Sequence, residues 1–96
     1  MKIGVIGLGL IGGSIFKKAR HKYEVVGVSR TLNEENVSSE YEILQGCNVV
    51  FVCTPMNKIL EILDKLENYL GENTIVTDVC SLKEFVSHKS YKYKFI

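Results

Sequence analysis

The sequence predicts a doubly wound α/β domain with a mostly parallel sheet. Three observations carry that reading. Short apolar, β-branched runs alternate with helical patterns along the whole chain, which implies parallel strands joined by right-handed crossovers. The run Val49-Val50-Phe51-Val52-Cys53 is apolar at every position, as in a strand covered on both faces. The first apolar run ends in a glycine-rich turn that leads straight into a helical pattern.

The elements follow in order. Lys2 to Ile6 is a short buried strand. Leu10 to about Arg20 is a helix, with Ile11, Ile15 and Ala19 spaced four apart on one face. Glu24 to Val28 is the second strand. Leu32 to Gly46 is polar and poorly patterned, with room for a short helical piece from Ser39 to Gln45. The strand Val49 to Cys53 stops at Thr54-Pro55. Asn57 to Leu70 is the clearest helix: Ile59, Ile62, Leu63, Leu66 and Leu70 form one stripe, and Gly71 is the expected stop. Thr74 to Thr77 is a strand, Leu82 to about His88 a short helix, and Tyr91 to Ile96 a last strand. The third strand and its helix, which such a fold would place after Arg30, are expected to be short or missing.

Ninety-six residues make a single domain, residues 1–96. A chain of this size buries about 60–65% of its unfolded surface, enough for one small core. With 46% hydrophobic and 24% charged residues, the composition is that of a globular protein. The formal net charge of +1 argues against a dedicated nucleic-acid binder. Lys89, Lys92 and Lys94 alternate with Tyr91 and Tyr93, but that alternation also describes a strand with one solvated face. Cys47, Cys53 and Cys80 form no C-x-x-C pair and are odd in number. This speaks against a disulfide or metal framework and for a reducing, cytoplasmic setting. No signal peptide and no stretch of membrane-spanning length is expected.

The chemistry begins at Gly7-Leu8-Gly9-Leu10-Ile11-Gly12, a complete G-x-G-x-x-G between a predicted strand and a predicted helix. Gly7 allows the tight turn, Gly9 leaves room for a pyrophosphate, and Gly12 lets the helix pack on the strand. The helix start, at Leu10 and Ile11, offers free N–H groups and a partial positive charge to phosphates. Such a turn can also do no more than pack a helix; here spacing and context both favour a dinucleotide site.

About 20 residues beyond Gly9, an NAD site would place an Asp or Glu on the ribose 2′-hydroxyl. This chain has Ser29-Arg30-Thr31 there, with no carboxylate until Glu34. An arginine attracts a 2′-phosphate through a charge-assisted contact, and the two hydroxyls add donors. The expected cofactor is therefore NADP, with NAD less favoured. A solvated arginine at a strand end is the plainer alternative.

Together with the glycine turn, Phe51-Val52-Cys53-Thr54-Pro55 and Val76-Thr77-Asp78-Val79-Cys80-Ser81-Leu82-Lys83 resemble the cofactor domain of the prephenate and arogenate dehydrogenases. Val28-Ser29-Arg30 resembles the NADP-using arogenate enzymes in particular. The resemblance implies a Rossmann-like fold and a place in tyrosine biosynthesis. In that reaction a ring carbinol is oxidised by hydride transfer to the nicotinamide, and loss of carboxylate makes the ring aromatic. It implies that Ser81 lies near the nicotinamide and the substrate hydroxyl, with Asp78 and Lys83 supporting the turn, and that Thr54 borders the cofactor. Ser81 can equally serve as a helix N-cap, and Thr54 as a simple strand stop.

Two departures stand out. The segment from Leu32 to Gly46 is too short for the family's full helix and strand, which leaves the adenine side open. After Tyr93-Lys94-Phe95-Ile96 the family continues into a histidine base and a helical domain that binds substrate and dimerises. Of the two histidines here, His21 and His88, neither is placed to reach the nicotinamide. The chain therefore reads as a cofactor half, expected to bind NADP without turning over substrate, whether as a fragment, a truncated gene or a degenerate paralogue. The competing readings are a non-catalytic nucleotide-binding or interaction module and a β-hydroxyacid-type dehydrogenase. The partners expected are small molecules, with neither nucleic acid nor membrane.

Overall fold

A computed structural model describes residues 1–79 and 91–96 of the chain. Its strands are β1 (Lys2–Ile6), β2 (Glu24–Val28), β3 (Val37–Ser38), β4 (Val49–Val52), β5 (Ile75–Asp78) and β6 (Lys94–Phe95). Two helices, α1 (Leu10–Ala19) and α2 (Met56–Leu66), and a single 3₁₀ turn at Tyr41–Leu44 complete the described elements. All six strands pair in parallel, in the order β3-β2-β1-β4-β5-β6. From β1 the chain winds outward to β2 and β3, then returns to β4 and winds the other way. That reversal between β1 and β4 is the topological switch point of a Rossmann fold.

The register explains the continuous apolar runs. Ile3 stands opposite Val25 and Val49, and Gly4 opposite Val26 and Val50. One face of the sheet carries Ile3, Val5 and Val25, packed with Phe16 of α1. The other carries Ile6, Val26, Val28, Val50, Val52 and Val76 beneath α2. Both faces of the central strands are covered, so neither set of alternating positions is free to be polar.

The α2 stripe is as expected: Ile59, Leu63 and Leu66 are fully buried, with Ile62 and Leu70 nearly so. The helix itself ends at Leu66 rather than Leu70. The backbone then tightens, with the N–H groups of Glu67, Asn68 and Tyr69 donating to carbonyls three residues back. Gly71 does not act as a left-handed stop; the glycines with positive φ are Gly7 and Gly46. Tyr93 completes this end of the helix. Its hydroxyl donates to the Leu63 carbonyl at 2.7 Å, one of the carbonyls that the helix terminus leaves without an intrahelical partner.

The face of α1 differs from the spacing of Ile11, Ile15 and Ala19. Ile11 is 53% exposed, and the buried positions are Gly12 and Phe16, with Ile15 and Ala19 partly covered. The helix lies so close to the β1 turn that the contact is made at Gly12, which rotates Ile11 outward.

The polar segment holds more order than its pattern suggests. β3 is present, cut to two residues that pair with Gly27 and Val28. Asn36, at φ 65°, turns the chain into it, a left-handed conformation that asparagine tolerates better than most residues. The expected helical piece is the 3₁₀ turn alone. It contributes Leu44, fully buried over Gly4 beside Cys47 and Val50. One leucine thus plugs the sheet face that a whole helix would otherwise cover. Predicted strand Tyr91 to Ile96 is reduced to Lys94–Phe95, though exposure still alternates, with Lys92 and Lys94 outside and Tyr93 buried. The helix expected from Leu82 to His88 lies outside the described residues.

Candidate functional site

β1 ends at Ile6, and Gly7 takes φ +86° to turn the chain, a conformation that costs a residue with a Cβ. The Gly7 N–H donates to the Val28 carbonyl at 3.0 Å, which ties the turn to the end of β2. α1 begins at Leu10 behind an extended Gly9 that offers no side-chain cap, and no acidic residue stands in its first turn. The first N–H groups of the helix therefore remain available to an anion. A Cβ on Gly12 would overlap the Gly7 carbonyl oxygen, so only glycine permits this approach of helix to turn. A Cβ on Gly9 would meet nothing within 4 Å. The space in front of Gly9 is open, as the approach of a pyrophosphate requires.

Beside this turn, at the carboxyl ends of β1, β2 and β4, lies a cleft of about 570 Å³. That volume suits a cofactor-sized ligand, and open α/β sheets bind ligands at this end of the strands. Gly7 after β1, Ser29 and Arg30 after β2, and Thr54 and Pro55 after β4 line it. α2 lines it through Lys58, Glu61, Ile62 and Lys65, and Tyr41 and Tyr69 line it too. The two tyrosine rings meet edge to face, with centroids 6.2 Å apart. Burial pushes the Tyr41 phenol above its usual pKa, against the opposing pull of Lys65 and Arg30, so the group is neutral at physiological pH.

The Ser29 oxygen accepts from the N–H groups of Thr31, at 3.3 Å, and Leu32, at 3.1 Å. It shapes the turn that carries Arg30. Arg30 is exposed, and among the described residues its guanidinium forms no ion pair. The Thr54 hydroxyl is shielded from water with no hydrogen-bond partner in the described structure.

Of the expected site residues, Gly7, Ser29, Arg30 and Thr54 share the cleft. Gly9, Leu10, Ile11 and Gly12 form the adjoining turn and helix start, while Thr31 is exposed outside the cleft lining. Ser81 and Lys83 lie outside the described residues. Asp78 is buried at the end of β5. His21 is exposed just beyond α1, at the end away from the glycine turn. Lys58, Tyr41 and Tyr69 were not expected here. Lys58 has a readable signal, since the first turn after a strand's carboxyl end faces the crevice. Among the described residues no cluster of His, Cys, Asp and Glu could hold a metal ion.

Strand order, glycine turn and cleft together define a dinucleotide-binding α/β domain. The chain belongs to the family of the prephenate dehydrogenase nucleotide-binding domain, whose family model matches residues 11–93. It is 32% identical to the prephenate dehydrogenase of Lactococcus lactis, across 85% of this chain and 27% of that protein. Among solved structures it resembles the arogenate dehydrogenase of Synechocystis, with 36% identity, a TM-score of 0.77, and coverage of 91% of this chain and 35% of that one. The prephenate dehydrogenase of A. aeolicus, solved with hydroxyphenyl propionate and NAD+, shares the fold at 23% identity and a TM-score of 0.68, over 85% of this chain and 34% of that one. The chain thus spans about a third or less of the length of these relatives.

Proposed function

We propose that this domain binds NADP as the cofactor-binding part of an arogenate- or prephenate-type dehydrogenase. The observation that carries the choice of NADP is Arg30, which forms no ion pair among the described residues and lines the same cleft as Gly7 and Ser29. The likeness to the Synechocystis arogenate dehydrogenase supports the dehydrogenase reading. The A. aeolicus relative, which holds NAD+, supports a nicotinamide dinucleotide in a fold of this kind.

In this reading the N–H groups at the start of α1, around Leu10 and Ile11, hold the pyrophosphate over Gly9. Arg30 reaches the 2′-phosphate, and the Ser29 turn orients the guanidinium. Thr54 borders the nicotinamide side, and Ser81 sits by the reacting hydroxyl. The cofactor, when bound, supplies a hydride acceptor for the ring carbinol. The 96-residue chain, which spans about a third or less of its relatives' length, is expected to bind NADP without oxidising prephenate or arogenate. The three cysteines form no C-x-x-C pair and are odd in number, which supports a reducing compartment, the cytoplasm.

Calorimetric titration of the two cofactors tests the proposal. A hydrogen bond to a charged group contributes about 1.5–3 kcal/mol, so NADP should bind roughly 10- to 100-fold more tightly than NAD. Arg30→Ala should remove most of that difference. Equal affinities in the unaltered chain would refute it.

A further inference from the structure

We propose that Lys58 is a second specificity-determining cation, acting with Arg30 from the α2 side of the cleft to hold the adenosine 2′-phosphate. The inference rests on the NADP reading and extends it to a residue outside the Ser29-Arg30-Thr31 turn.

The charges of the cleft lead to it. Its lining contains Arg30, Lys58 and Lys65 as cations and Glu40 and Glu61 as anions. Lys65 and Glu61 pair with each other at 3.3 Å, one helical turn apart. Among the described residues neither Arg30 nor Lys58 forms an ion pair. Two uncompensated cations from elements distant in sequence thus face one concavity, with Glu40 as the remaining carboxylate. A cleft with low-dielectric walls concentrates such a field and favours an anion between them.

The position of Lys58 is a second, independent sign. It stands in the first turn of α2, which contains no acidic residue. A cation there opposes the helix dipole, whose positive end lies at that terminus. The choice works against the helix and in favour of a bound anion, as local rules tend to be broken at binding sites. The other lysine of α2, Lys65, stands in the last turn, where the dipole welcomes it.

The test is titration of NADP and NAD into the unaltered chain, Lys58→Gln, Lys58→Arg and Arg30→Gln, at two salt concentrations. Thermal melts check that each variant is folded. Loss of one charged contact should weaken NADP binding by about tenfold in Lys58→Gln, with NAD changed less than about twofold. Lys58→Arg should keep the preference, and the salt dependence of NADP binding should be shallower in Lys58→Gln. If the unaltered chain fails to prefer NADP, the NADP reading falls and this inference with it. If the preference is present and lost in Arg30→Gln but intact in Lys58→Gln, the NADP reading stands and the role of Lys58 is refuted. Equal weakening of both cofactors in Lys58→Gln also refutes it, because Lys58 would then attract phosphate without discriminating.

Discussion

At the scale of single residues, Gly9 and Gly12 separate binding from stability. A methyl group at Gly12 collides with the Gly7 carbonyl, and that atom belongs to backbone that cannot yield cheaply. Gly12→Ala should therefore destabilise the domain by about 1–3 kcal/mol or more, measured by urea unfolding. At Gly9 the same methyl group meets open space. Gly9→Ala should leave the unfolding midpoint nearly unchanged and weaken dinucleotide binding by at least about tenfold, since it fills the ground a pyrophosphate would take. A variant that loses both properties together would contradict this division. Cys47 gives a pH test. Burial raises its thiol to about 11 from a usual value near 9. The native state therefore keeps a proton that the unfolded state releases, and stability falls as pH rises from about 9 to about 11. In Cys47→Ala that part of the decline should be missing from unfolding curves taken across this window.

At the scale of elements, the end of α2 depends on a residue some 30 positions away in sequence. The buried Tyr93 hydroxyl satisfies the Leu63 carbonyl, and burial raises its phenol pKa further still, so it stays a donor. Tyr93→Phe keeps the ring and strips the donor, which should cost about 1–3 kcal/mol because a buried carbonyl is left unsatisfied. A variant as stable as the parent would show that water reaches this helix end. The strands β1, β2 and β4 were legible because burial on both faces leaves an unbroken apolar signal. α1 was legible as a helix, yet its buried face was not. Packing there is made by Gly12, and the absence of a side chain adds nothing to a hydrophobic stripe. β3, expected to be short or missing, could not be placed for a related reason. Its two residues pair through backbone groups, and Val37 and Ser38 are only half-buried. Periodicity cannot mark two residues, and the 3₁₀ turn likewise contributes a single fully buried side chain, Leu44.

For the molecule as a whole, the site is a consequence of winding. Reversal of strand order at β1 and β4 opens a crevice at their carboxyl ends. Gly7, Arg30 and Thr54 stand just beyond the ends of β1, β2 and β4, so chain direction alone brings them to this crevice. The opposite wall depends on how α2 packs across the shortened segment between β3 and β4. Tyr41 and Tyr69 reach the cleft through that packing, and no spacing rule joins them to the glycine turn. With the intervening helix reduced to one turn, the cleft is bordered there by Tyr41 and the α2 surface. We propose that this crevice, through the Arg30 guanidinium, selects the phosphorylated dinucleotide. Side-by-side calorimetry of NADP and NAD binding to the 96-residue chain tests it most directly. NADP should bind more tightly, by roughly 10- to 100-fold, with the gap narrowing in high salt. Equal binding of the two, or tighter binding of NAD, would contradict it.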